Sequence, residues 1–216
     1  MKRSFFVLVT LFVCLLLNSS GARAQTQTQA DDPPRFEVGV HFSALTLTPS
    51  NNYRTEVGFG GRFTFNLNQH VALEAETTLF PNSGRSGELR ADGNAVEGLF
   101  GVKAGKRWQK FGVFAKARPG FVSFSEGRLV ADPTFASGGL FGFRRERATH
   151  FATDVGGVLE LYVSRRISTR FDVGDTIIRY GTQTVGNIFP PPATFTIQTD
   201  TRHNLQVNGG IGFRFD

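Results

Sequence analysis

Apolar and polar residues alternate one by one along most of this chain, in segments separated by connections rich in Gly, Pro, Asn and Ser. A period of two puts successive side chains on opposite faces of a strand. Eight such strands are predicted, at about 35–46, 55–67, 70–80, 94–106, 110–124, 149–163, 169–180 and 203–215. In the second, Val57, Phe59, Gly61, Phe63, Phe65 and Leu67 alternate with Glu56, Gly58, Gly60, Arg62, Thr64 and Asn66. In the last, Leu205, Val207, Gly209, Ile211, Phe213 and Phe215 alternate with polar or small residues that include Asn204, Gln206, Asn208 and Arg214. The seventh strand breaks the rule, because Asp175 falls in its apolar series. A bulge at Gly174 would shift the phase and is expected there. Leu99 and Phe114 break it in the other sense, standing in polar series.

The connections alternate in length. Those near 48–54, 81–93, 125–148 and 181–201 are long, whereas Asn68-Gln69, Arg107-Trp108-Gln109 and Ser164 to Ser168 are short. Long loops at one end and short turns at the other are the pattern of a membrane barrel. The expected fold is all-β, an eight-stranded antiparallel up-and-down transmembrane β-barrel over residues 35–216. A soluble barrel also alternates, but with its apolar series inside.

The polar series favours the membrane form. It carries Glu37, Glu56, Arg62, Glu74, Glu76, Glu97, Lys103, Lys116, Arg118, Asp154, Glu160, Arg170, Asp172 and Arg214. An eight-stranded barrel has an interior just wide enough to be filled by side chains. Charges of both signs stacked there can satisfy one another, whereas lone buried charges are costly. These residues are therefore predicted to form a polar network in the lumen, with the apolar series facing outward.

Composition adds to this picture. The chain holds 25 Gly and 23 Phe against one Met, one Trp and one Cys, an all-β balance. Residues 1–24 read as a cleaved secretory signal: Lys2 and Arg3 are followed by an apolar run from Phe5 to Leu17 and by Ala22-Arg23-Ala24. That run is too short for a membrane-crossing helix. Cys14 falls within the signal, which leaves no cysteine for a disulfide or thiol chemistry. Residues 25–34 (QTQTQADDPP) read as a disordered polar lead. Removing Lys2, Arg3 and Arg23 lowers the net charge from +6 by three, too weak and too scattered a charge for a nucleic-acid binder.

The final strand carries a further resemblance. Val207, Ile211, Phe213 and Phe215 form an alternating apolar strand that closes on an aromatic residue, followed here by Asp216. In this respect, and in its eight-strand plan, the chain resembles the small outer-membrane β-barrel family, similar to the OmpA transmembrane domain and to OmpX-like proteins. The resemblance spans about residues 35–216. It implies an integral location in the bacterial outer membrane and recognition of the last strand by the barrel-assembly machinery. It also implies outer-membrane lipid and lipopolysaccharide as surroundings.

Catalytic residues are few. His41, His70, His150 and His203 are scattered and have no metal-ligand spacing. His41 and Ser43 form an H-x-S pair that is similar to the site of barrel enzymes acting on lipid A, but the phase turns His41 inward. No cofactor, metal or enzymatic activity is expected. Arg144, Arg145 and Arg147 cluster near the end of the third long loop and are candidates for contact with lipopolysaccharide phosphates, which suit guanidinium forks. Pro190-Pro191-Pro192 stiffens the fourth loop. The functional expectation is a monomeric structural or surface-interaction barrel with a filled lumen. The alternative is a small passive channel, for which Gly39, Gly58, Gly60, Gly101, Gly210 and Gly212 would leave room. A lipid A-modifying enzyme is the third reading.

Overall fold

The computed structural model describes residues 33–48, 54–81, 91–132, 142–185 and 195–216. The predicted signal with Cys14, nearly all of the polar lead and the triple proline lie outside these residues. The described strands are β1 (Phe36–Leu47), β2 (Arg54–Asn66), β3 (Val71–Phe80), β4 (Ala95–Arg107), β5 (Phe111–Asp132), β6 (Gly142–Tyr162), β7 (Ile167–Tyr180), β8 (Gln183–Val185), β9 (Phe195–Ile197) and β10 (Asp200–Phe215).

Eight of them close into an antiparallel barrel in the order β1-β10-β7-β6-β5-β4-β3-β2, while β8 and β9 pair as a separate small hairpin. Closure gives each of the eight strands a neighbour on both sides, which an open sheet would deny its two end strands. The seam joins the first barrel strand to the last, from Phe36 opposite Phe215 to Thr46 opposite Leu205. Phe36 stacks on Phe65 at 5.2 Å and on Phe215 at 5.7 Å, so an aromatic cluster covers the seam at its short-turn end. The short turns are held by side-chain oxygens. Asn68 Oδ1 accepts from the amides of His70 and Val71. Ser164 Oγ does the same for Arg166 and Ile167.

Three expectations change. First, β7 pairs with both neighbours in unbroken register through Gly174, so there is no bulge there. Asp175 stays in the outward series and is held by His203 Nδ1 at 2.6 Å and by the Asn204 amide, a polar pair that makes the phase shift unnecessary. The register shift lies instead between Phe124 and Arg128 in β5. Second, most of the stretch 125–148 is strand, because β5 and β6 run on as a paired ribbon to Asp132 and Gly142. Arg144, Arg145 and Arg147 therefore sit within β6. Third, 181–201 is partly ordered as β8, β9 and the start of β10.

The wall has an apolar outer face. Val40 and Phe42 are 69% and 74% exposed, and Phe59, Phe100, Phe151, Phe171, Val207 and Ile211 continue the band around the barrel. Exposed apolar surface of this extent is foreign to soluble monomers. The interior has two storeys. Towards the short turns it is charged. Towards the long loops it is apolar, with Leu45, Leu47, Phe80, Ala91, Ala95, Val122, Phe124, Ala152, Ile178 and Tyr180 in one buried cluster. Ala91 enters that cluster from the connection before β4, where Gly93 adopts a positive φ of 75° that other residues rarely take.

Candidate functional site

The fourteen charged residues of the polar series are all buried inside the barrel. At the centre, Arg118 on β5 donates to Glu76 Oε2 at 2.7 Å and, through Nε and Nη2, to Asp154 Oδ2 at 3.0 and 2.6 Å. Arg170 on β7 donates to Asp172 Oδ1 at 2.6 Å and to both oxygens of Glu74 across the lumen. Lys116 pairs with Asp154 at 2.8 Å and faces Asp172 at 3.6 Å. Lys103 bridges Glu74 and Glu160. Nearer the short turns Arg62 donates to Glu37 at 3.1 Å. Arg214 stacks over the Tyr162 ring at 4.4 Å.

The strand period explains this convergence. One carboxylate or base on every second residue of adjacent strands brings opposite signs within reach across the narrow lumen. Desolvated ions are tolerated at the centre because Arg118 and Arg170 each have several acceptors. Glu97 differs: among the described residues it has no cationic partner and instead accepts from the Gln206 amide at 2.9 Å. Glu56 pairs with Arg54, close to the apolar storey.

Several partners were absent from the sequence reading. Arg107, one residue past the predicted end of its strand, donates to Tyr162 OH and Asn66 Oδ1, both at 2.9 Å. Tyr162 in turn donates to Glu160 at 2.9 Å. Arg54 and Arg145 both approach Asp92, which is buried in the connection before β4. Continuing the alternation by one residue would have captured Arg54 and Arg107. Nothing in the local pattern marks Asp92. Phe114, out of pattern in the sequence, lies beneath Lys103 at 4.9 Å and Arg107 at 5.2 Å, a cation–π role that suits an inward aromatic ring. Leu99 lies opposite Gly120, which has no side chain to compete for the space.

The lumen glycines lie where chain segments approach closely. A Cβ on Gly101 would run into the backbone of Ala117 and Arg118, and one on Gly60 into the Thr77 carbonyl, so these positions mark close approach of chain segments. His41 and Ser43 point inward and hold separate partners. His41 Nε2 lies 3.0 Å from Thr78 Oγ1, and Ser43 Oγ accepts from Gln206 at 3.2 Å. No group of metal-ligating residues occurs among the described residues.

At the long-loop rim the basic cluster divides. Arg145 donates to Asp92 at 2.8 Å and Arg144 to Glu146 at 2.5 Å. Arg128 donates to the other oxygen of Glu146 at 3.0 Å. These two hydrogen bonds, that from Arg128 first, hold the Glu146 carboxyl below its ordinary pKa. Arg147 has no carboxylate partner among the described residues. It borders an open cleft of about 470 Å³ together with Arg128, Arg179, Thr149, His150, Phe151, Thr182, Gln183 and Thr199. Gln183 Nε2 donates to the Gly127 carbonyl at 2.9 Å and ties the β8 side of the cleft to β5.

An apolar exterior, a charged and filled interior and alternating loop lengths define a barrel built inside-out relative to soluble ones. No family profile and no curated protein matches the sequence. Among solved structures, neisserial surface protein A is similar with a TM-score of 0.51 at 11% identity, over 83% of this chain and 97% of that one. The N-terminal barrel domain of Pseudomonas aeruginosa OprF has a TM-score of 0.44 at 11% identity, covering 86% and 100%. Ail, the attachment invasion locus protein of Yersinia pestis, has 0.46 at 13% identity, covering 85% and 99%. The likeness to neisserial surface protein A bears on architecture: this chain has the fold of a small eight-stranded outer-membrane β-barrel.

Proposed function

We propose that this protein is an integral, monomeric barrel of the bacterial outer membrane, exported through its N-terminal signal, with a structural or surface-interaction role and a sealed lumen. The observation that carries the reading is the pairing of an outward apolar band with an interior filled at two levels. The band suits lipid as its solvent, and a closed strand ladder pairs backbone groups that lipid could not satisfy. The short turns would face the periplasm and the long loops the exterior. Val207, Ile211, Phe213 and Phe215, all outward on β10, would present the assembly signal. Lipopolysaccharide would surround the outer rim, with Arg147 the member of the predicted basic trio left available to it. The role is non-enzymatic, consistent with the inward, separately bonded His41 and Ser43.

Planar-bilayer recording of the full-length mature protein tests the sealed lumen. No steady unitary openings are expected. Steady openings would overturn this reading in favour of a passive channel. Purified outer membranes run unboiled and boiled on a gel test the location: a compact band that slows on heating is expected, and recovery of the protein in the soluble periplasmic fraction would defeat it.

A further inference from the structure

We infer that the rim cleft between β6, β7 and the β8–β9 hairpin is a binding site for the phosphorylated headgroup of an outer-leaflet glycolipid; this rests on the membrane reading above. Three guanidinium groups, from Arg128, Arg147 and Arg179, border a cleft of about 470 Å³; Arg128 is held by Glu146 at 3.0 Å, which is not itself among the lining residues. Arg147 and Arg179 have no ion-pair partner of their own among those residues, whereas the neighbouring Arg144 and Arg145 are both engaged by acids. Charges left unpaired beside paired ones of the same type make a site of net positive potential.

The geometry selects the ligand class. Guanidinium forks match phosphate oxygens bidentately, and the hydroxyls of Thr149 and Thr182 at the cleft add the polar groups that a sugar requires. The wall of the cleft includes Phe151, which is 58% exposed and belongs to the outward apolar band. A ligand seated here therefore meets cations on one side and the lipid-facing surface on the other, the polarity of an amphiphile with an anionic head. Basic pockets at the membrane boundary hold anionic headgroups by the same combination. The three arginines come from three strands and meet only because β5 and β6 continue past the barrel wall.

The test uses the full mature chain in phosphatidylcholine nanodiscs, titrated with bis-phosphorylated lipid A, with its dephosphorylated form and with soluble glucosamine phosphate, and read by native mass spectrometry. At least tenfold preference for the phosphorylated lipid is expected. The double variant R147Q/R179Q should lose it, while R144Q keeps it and R147K/R179K retains part. Equal binding of the two lipid forms, or unchanged preference in R147Q/R179Q, would overturn the site. Glucosamine phosphate binding as tightly as the lipid would overturn the assignment to a membrane lipid. All variants lie on the surface, and their heat-modifiable gel band checks the barrel itself. Absence of the lipid preference in the unsubstituted protein, with that band intact, would sink this inference and leave the barrel reading standing.

Discussion

The two storeys of the lumen are built from the same eight strands in the same inward phase, yet they hold the wall together by different physics. The charged storey works through directional contacts. Arg118 and Arg170 each grip carboxylates on two or more strands, so a slip of one strand would strand several ions in the interior. The apolar storey works by packing, which is non-directional, and it accepts Ala91 from a connection as readily as Ile178 from a strand. The contrast teaches that one part specifies register while the other packs the long-loop end with apolar side chains.

The largest effect is expected in the charged storey. Arg170→Leu leaves Glu74 and Asp172 without their principal donor, at a cost of about 5 kcal/mol. Urea unfolding in lipid vesicles measures this, and an unchanged midpoint would show that the network contributes nothing. Adding Glu74→Gln should recover part of the loss, since the penalty comes mainly from the abandoned charge. Next comes the apolar storey. Phe80→Ala, at a fully buried site, should cost about 3 kcal/mol in the same assay. On the sealed-lumen reading proposed above it should also raise permeability to small ions more than Arg170→Leu does; a greater leak from Arg170→Leu would reverse the roles given to the two storeys. The smallest effect belongs to the exposed rim. Glu146, held below its usual pKa by Arg128 and Arg144, contributes only above the ordinary carboxylate range and loses that contribution as pH falls through its lowered value. Between pH 7 and pH 5 it should therefore stay ionised. A carboxyl NMR titration reads this directly, and a midpoint at the ordinary value of about 4.3 would show that the pair does not form in solution.

Much of this architecture is local information. A period of two assigns strand residues to one side of the wall or the other, which is why the alternation alone groups the fourteen charged positions. Depth along the barrel is another matter. Whether Leu45 and Glu37, on the same side of β1, lie among apolar or charged neighbours depends on the stagger between strands, which no single segment encodes. Asp92 and Ala91 fold inward from a connection and have no periodicity to reveal them. Residues 125–132 lack clean alternation, so nothing in their sequence marks the ribbon they form with β6. The run from Arg144 to Arg147 drew attention as a cluster in sequence, but successive residues of a strand go to different neighbours. Three of the four residues in that run are engaged with one another or with Asp92, and the cleft recruits Arg128 and Arg179 from far along the chain.

The seam has a consequence in time. The Arg35 amide meets Asp216 across 181 positions of sequence, and every pairing of β1 with β10 is comparably remote. During synthesis the first barrel strand emerges with one partner, β2, arriving soon and the other, β10, only after all the strands between. Until then it carries a raw edge of unsatisfied amides and carbonyls, able to pair with any passing strand. Contacts this distant are slow to form unaided. The wall can be completed only once β10 is present, so β1 keeps an open edge until that strand arrives.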